Sequence, residues 1–225
     1  MNKGLLIVFC GIDGSGKTTQ AELLIDDLIE KGLPAQYVWA RWEQKLVRAL
    51  TGKWKAHIKN DTGHSHGGAK ENKQKKRKLL SNPFFRFLWL GAFFIDYGFQ
   101  ILFKVRMRLI KKELIVSDRM FYDSVIDQAV NLGSNREWLL DNLSSPWMKI
   151  VFPEPDFVIY IDCPGEIAFA RKDDAPDVEY LTDRRALYKQ LAEQYGWIEI
   201  DGTHSVDDIA AQVKDIVHEK LSSYK

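Results

Sequence analysis

A six-residue apolar run, Leu5-Leu6-Ile7-Val8-Phe9-Cys10, passes directly into Gly11-Ile12-Asp13-Gly14-Ser15-Gly16-Lys17-Thr18, and this junction constrains the fold most. An unbroken apolar run of this length is the pattern of a strand covered on both faces, as in the interior of a parallel sheet. The glycine segment fits GxxxxGK[ST] in the setting that gives the motif meaning, between such a strand and a helix. Its glycines let backbone N–H groups turn toward a phosphate, and the amino end of the next helix adds partial positive charge. Lys17 can reach the outer phosphates and the Thr18 hydroxyl can hold Mg²⁺. A glycine turn that only opens a helix would require neither Lys17 nor Thr18.

Beyond the loop, the periodicity predicts a helix over Thr18 to Lys31, with Ala21, Leu24, Ile25, Leu28 and Ile29 on one stripe and Gly32 as its stop. Short strands are expected at Ala35 to Trp39, Glu113 to Ser117, Phe157 to Ile161 and Trp197 to Ile200, the last three ending at Asp118, Asp162 and Asp201. Five strands separated by helices make an α/β fold with a parallel sheet, whose ligands gather at the carboxyl ends of the strands. At 225 residues, one domain spanning 1–225 is expected. Pro83 to Lys112 is expected to form one long helix with Phe87, Leu88, Phe94, Ile95, Ile101, Leu102 and Val105 on one side. Because it is apolar almost all round, burial on more than one side is expected.

Charge and composition exclude several classes. Lys plus Arg number 32 against 31 Asp plus Glu, a net charge of +1, which argues against a histone-like DNA binder or an acidic disordered chain. With 45% hydrophobic and 12% aromatic residues, disorder throughout is also excluded. Cys10 and Cys163 belong to no disulfide or zinc spacing, the early apolar run is too short for a secretory signal, and the longest uncharged stretch of the aromatic segment, Phe87 to Ile95, is too short to span a bilayer. A cytoplasmic protein is the expectation. Gly52 to Leu80 differs from the rest, with nine basic residues against two acidic ones, and is expected to be a basic, mobile insertion.

Three segments together resemble the thymidylate kinases. Phe9-Cys10-Gly11-Ile12-Asp13-Gly14-Ser15-Gly16-Lys17-Thr18-Thr19-Gln20 is similar to that family's opening, with Cys10 where a glutamate is usual. Val116-Ser117-Asp118-Arg119-Met120 resembles its strand-end D-R-Y, and the stretch from Pro155-Asp156 through Tyr160-Ile161-Asp162 to Glu166 and Arg171 resembles the approach to its lid. The resemblance implies a three-layer α/β/α P-loop kinase with a helical lid, here over 166–185. It implies an ATP- and Mg²⁺-dependent transferase of nucleotide biosynthesis that acts on a nucleoside monophosphate, dTMP or a related acceptor, and is commonly a homodimer through helices of the Pro83 to Lys112 region.

Phosphoryl transfer rests on alignment and on positive charge around the moving group. Asp13, Gly14, Ser15, Gly16, Lys17, Thr18 and Thr19 are the candidate ATP-phosphate ligands, and Thr18 with Asp118 the candidate metal holders. Lys17, Asp118, Arg119 and Arg171 are the candidate catalytic residues, and Arg171, Lys172, Arg184 and Arg185 the lid cations. Arg41 and Arg119 are assigned to the acceptor. Where the family usually has R-E-P-G-G after its second strand, this chain has Trp39-Ala40-Arg41-Trp42-Glu43, and where it commonly presents a base-reading arginine the chain offers Asp96, Tyr97 and Gln100. Tyr97 and Gln100 are therefore taken as acceptor residues. Asp201-Gly202-Thr203-His204 borders the adenine by the same resemblance. Two alternatives remain at this stage: a kinase for a hydroxyl acceptor, with Glu43 or Asp118 as the base, and a non-catalytic nucleotide-dependent protein that contacts membrane lipid or nucleic acid through its basic and aromatic segments.

Overall fold

The computed structural model describes residues 3–44, 78–132, 137–172 and 175–222. The basic segment expected to be an insertion lies outside the described residues up to residue 77. The elements run β1 (Leu5–Cys10), α1 (Lys17–Glu30), β2 (Ala35–Trp39), α2 (Pro83–Ile101), a π-helical turn (Leu102–Arg106), α3 (Met107–Ile110), β3 (Leu114–Asp118) and α4 (Phe121–Leu132). They continue with α5 (Glu137–Asp141), α6 (Pro146–Val151), β4 (Phe157–Asp162), α7 (Gly165–Arg171), α8 (Val178–Tyr195), β5 (Ile198–Asp201) and α9 (Val206–Ser222).

The five strands form one all-parallel sheet in the order β2-β3-β1-β4-β5. Central β1 pairs with β3 and β4, and its six residues are all 1% exposed or less. Alternate side chains explain why the run has no polar break. Leu5, Ile7 and Phe9 pack with Leu24, Leu28, Val213 and Val217 of α1 and α9. Leu6, Val8 and Cys10 face the opposite core with Phe93, Tyr97, Val125 and Leu191 of α2, α4 and α8. Each large apolar side chain covered in this way contributes roughly 1.5–3 kcal/mol. The register sets Phe9 and Trp39 both opposite Asp118, and Asp162 opposite Asp201, so the polar strand ends collect along one edge of the sheet.

Helix α2 begins as its sequence demands, with Pro83 in the first turn and the Asn82 side chain accepting from the Phe84 N–H at 2.9 Å. Its phase differs from expectation. The buried stripe is Leu90, Phe93, Tyr97, Ile101 and Val105, whereas Phe87, Leu88 and Ile95, expected on the inner side, are exposed along with Phe84, Phe99 and Phe103. One face is therefore buried within the chain, not several. A segment apolar all round carries no periodicity to orient it, and the shape of the sheet decides. The span Pro83–Ile110 is long and apolar enough by length and composition to cross a membrane, with mean hydropathy 1.3 over its most apolar window. Its inner stripe nonetheless belongs to the protein core.

Candidate active site

The phosphate loop leaves β1 through Gly11 and enters α1 through Gly16, whose φ of 94° is left-handed and open to glycine at little cost. Gly14 is more tightly required. Its φ is 85°, and a Cβ there would run into the Ala168 carbonyl of α7, 2.8 Å from its carbon. The loop is thus packed backbone to backbone against the base of the expected lid. Lys17 is 3% exposed and donates to the Ile12 carbonyl at 2.7 Å. Burial, reinforced by Arg119, brings its ammonium down to about 8 against the opposing pull of Asp13, Asp123 and Asp118. The Ser15 hydroxyl is buried in the loop with no partner among the described residues.

At the end of β3, Asp118 is 2% exposed and receives two donors on one oxygen. The Thr18 hydroxyl donates to Oδ2 at 2.6 Å and the Tyr37 hydroxyl at 3.0 Å, while no described residue bonds Oδ1. The next residue, Arg119, has a φ of 68°, unusual for a side chain of this size. That turn is held by its N–H on the Phe9 carbonyl at 3.0 Å and by the Ser117 hydroxyl on its own carbonyl at 2.6 Å. It points the guanidinium across the loop to Asp13 and to within 3.6 Å of Asp123. Burial alone would raise the Asp13 carboxyl. Arg119, Lys17 and Arg41 outweigh it and hold the group at about 2.

A second ion cluster adjoins the first. Asp127 of α4 accepts from Arg41 Nε at 3.1 Å and Nη2 at 2.7 Å on one oxygen, and from Arg184 Nε at 3.2 Å and Nη2 at 3.0 Å on the other. The Arg184 guanidinium also lies over the Tyr180 ring, 3.5 Å from its centroid. Asp123, one helical turn before Asp127, is 1% exposed and accepts from the Met120 N–H, the Tyr188 hydroxyl and the Cys10 thiol, at 3.0, 2.6 and 3.4 Å. Burial pushes both the Cys10 thiol and the Asp123 carboxyl up.

Two clefts open on these groups. A cleft of about 550 Å³ runs from Asp13 to Gln20 along the loop and on past Arg171 to His204 and Ile209. Another of about 350 Å³ is walled by Trp39, Arg41, Asp118 and Tyr180. Asp13, Thr18, Arg119 and Lys172 line both, so the clefts meet at the phosphate loop.

No family model matches the chain. Curated relatives do match it over nearly its whole length. The thymidylate kinase of Plasmodium falciparum is 25% identical over 221 residues, which is 96% of this chain and 90% of that protein. The thymidylate kinase of Prochlorococcus marinus is 26% identical over 236 residues, 99% of this chain and 100% of that protein. A probable thymidylate kinase of Metallosphaera sedula is 34% identical over 118 residues, 49% of this chain and 56% of that protein. Across nearly its full length, then, the chain is similar to thymidylate kinases.

The expected site residues fall into three groups. Asp13 to Thr19, Asp118, Arg119, Arg41, Arg171 and Lys172 line one or both clefts. Arg184 and Arg185 do not; Arg184 is tied to Asp127 behind Arg41, and Arg185 grips Asp162 at 2.6 and 2.7 Å at the end of β4. Tyr97 and Gln100 depart from the expectation. Tyr97 is fully buried with its hydroxyl on the Ala40 carbonyl, and Gln100 clasps Glu43, accepting from its N–H at 3.2 Å and donating to its carbonyl at 2.6 Å. Both brace the Ala40-to-Glu43 segment from behind, because the inner stripe of α2 faces that segment's backbone. Trp42 joins this bracing, packed edge-on against Trp89 and Phe93 with its indole N–H on Asp96.

The sequence reading missed Tyr37, Asp123, Asp127 and Tyr180. A signal existed for the two acids. Asp123 and Asp127 stand four residues apart at the start of the helix that follows the D-R pair, which places both on one of its faces. No local signal marked Tyr37, since it is one aromatic residue in a short strand.

Proposed function

We propose that this protein transfers the γ-phosphoryl group of ATP, as its Mg²⁺ complex, to a nucleoside monophosphate, dTMP or a close relative, in the cytoplasm. The observation that carries the reading is the meeting of two clefts at Asp13, Thr18, Arg119 and Lys172, one holding the phosphate loop and the other Arg41. A donor in the first would present its terminal phosphoryl group to an acceptor phosphate in the second, between Lys17 and the two arginines. Such an acceptor is already ionised, so cations that align it and offset its charge suffice. The names of the relatives favour dTMP.

The residues fit a divalent cation. A Thr18 hydroxyl that donates to Asp118 turns its own lone pairs away from that carboxylate, and Asp118 Oδ1 is a buried oxygen in want of a partner. Thr18 and Asp118 would hold Mg²⁺ directly or through water, and the ion would offset charge on the donor phosphates. Lys17, the loop N–H groups and Ser15 bind the donor phosphates. Arg119 and Arg41 orient the acceptor, Arg171 and Lys172 bring charge from the lid, and the segment at His204 borders the donor base. The hydroxyl-acceptor alternative is less well supported: of its two candidate bases, Glu43 is paired with Lys104 at 2.6 Å and lies outside both clefts, and Asp118, which lines the second cleft, already accepts from the Thr18 and Tyr37 hydroxyls.

The test is ADP formation with ATP and Mg²⁺ against nucleoside monophosphates, nucleosides and phosphorylated sugars. Turnover led by dTMP, lost in Lys17→Ala and kept in Glu43→Gln, is expected. Turnover with nucleosides alone, abolished by Glu43→Gln, would overturn the reading. As partner for the exposed face of α2 we propose a second copy of the chain rather than a membrane, since Phe87, Ile95, Phe99 and Phe103 form one apolar stripe. Sedimentation at micromolar concentration should give a dimer that Phe99→Asp dissociates; a monomer of the unaltered protein would refute it.

A further inference from the structure

Tyr37 sits in the edge strand β2, opposite Val116 of β3 in register, and is 39% exposed. Nothing about packing obliges its hydroxyl to seek a buried partner, yet it donates to Asp118 Oδ2 at 3.0 Å. Its bond shares an oxygen with the Thr18 hydroxyl, and the two donors come from different parts of the fold. Thr18 belongs to the phosphate loop and α1, whereas Tyr37 is fixed to the sheet that carries Asp118 itself.

A carboxylate end group rotates in a broad, roughly two-fold well, so one donor does not fix its plane. Two donors on Oδ2 from separate elements do. The consequence appears at the other oxygen, since Oδ1 is buried and bonded by no described residue. We propose that Tyr37 is a positioning residue for the divalent cation, holding Asp118 Oδ2 from the sheet so that Oδ1 stays turned toward the ion or its water. This rests on the assignment of Thr18 and Asp118 as the residues that hold the cation. The donor from the sheet is anchored independently of the phosphate loop, which is what a fixed cation position requires. Partners that orient metal ligands are worth about 10- to 100-fold in metal affinity, and a half-exposed phenol belongs near the lower end.

The experiment uses the full chain with Mn²⁺ as probe. Binding of Mn²⁺ in the presence of ADP is followed by electron paramagnetic resonance, and binding of ADP alone by calorimetry in EDTA, for the unaltered protein, Tyr37→Phe and Asp118→Asn. Tyr37→Phe is expected to weaken Mn²⁺ binding about tenfold while leaving the affinity for metal-free ADP unchanged. Equal weakening of both would mark Tyr37 as a general support of the nucleotide site and overturn the proposal. Asp118→Asn separates the two layers of the reading. Loss of Mn²⁺ binding in Asp118→Asn with none in Tyr37→Phe overturns the role of Tyr37 alone, and no loss in either overturns the assignment of Asp118 to the cation as well. Melting curves in metal-free buffer verify that both variants are folded.

Discussion

Asp127→Asn is the perturbation that tests the second ion cluster. The carboxylate bridges Arg41 after β2 and Arg184 on α8, two elements far apart in sequence, with four nitrogen–oxygen contacts between 2.7 and 3.2 Å. The two halves are unequal. The Arg184 side chain is 9% exposed and that of Arg41 28%, against 21% for Asp127. The half-buried Arg184 contact falls in the range of charge-assisted bonds, about 2 kcal/mol. The wetter Arg41 contact is worth about 1 kcal/mol. Asparagine keeps the size but loses the charge, so the fold should lose about 3 kcal/mol, which at about 2–4 °C per kcal/mol for a chain of this length lowers Tm by about 6–12 °C. Because Arg41 also borders the cleft proposed for the acceptor, the acceptor KM should rise while the KM for ATP stays put. Circular-dichroism melts at pH 7 and initial rates under saturating ATP give the two readings. A double-mutant cycle with Arg184→Met should show coupling of about 1–2 kcal/mol. A Tm within 2 °C of the unaltered protein, or additivity in the cycle, would refute the bridge.

Three further expectations follow from the geometry. Because burial holds the Lys17 ammonium at about 8, and bound phosphate would favour its charged form, nucleotide affinity should fall as pH rises above 8, with log Kd approaching a slope of one per pH unit; a flat profile between pH 7 and 9.5 would count against it. Asp13 and Asp162 are both held at about 2, below the ordinary 3.8, Asp13 chiefly by Arg119 and Asp162 chiefly by Arg185, in each case against the opposing effect of burial. Their contribution to stability is complete above pH 4 and is lost as pH falls toward 2, so Asp162→Asn should flatten the acid limb of a stability profile, and an unchanged limb would contradict the assignment. Gly14→Ala combines a left-handed φ with a collision against the Ala168 carbonyl and should cost about 2–5 kcal/mol; an activity and Tm like those of the unaltered protein would show that α7 does not press on the loop.

The sheet and the phosphate loop were legible because their signals are local. The apolar run of β1 carries its double burial in its own composition, and Gly11 to Thr18 carries its anion site in eight consecutive residues. The acidic strand ends Asp118, Asp162 and Asp201 were legible for the same reason, and the register then aligned them. The phase of α2 was not. With apolar residues on every face, only the sheet surface could choose the stripe from Leu90 to Val105 and leave Phe87 and Ile95 outside. Tyr97 and Gln100, read forward from the usual place of a base-reading arginine, proved to point at the backbone of the Ala40-to-Glu43 segment.

What the sequence determined alone was therefore the class of chemistry: a strand, a glycine loop and a lysine at fixed spacing bind phosphate in whatever order the remaining strands assemble. Tertiary structure decided which charges meet. Tyr37 lies 81 residues from Asp118, Arg184 lies 57 from Asp127, and Arg119 lies 106 from Asp13. Such pairs leave no periodic trace, because each is created by the strand order β2-β3-β1-β4 and by the turn at Arg119 rather than by neighbours along the chain. Electrostatic energy depends on distance and burial, and both are properties of the folded arrangement.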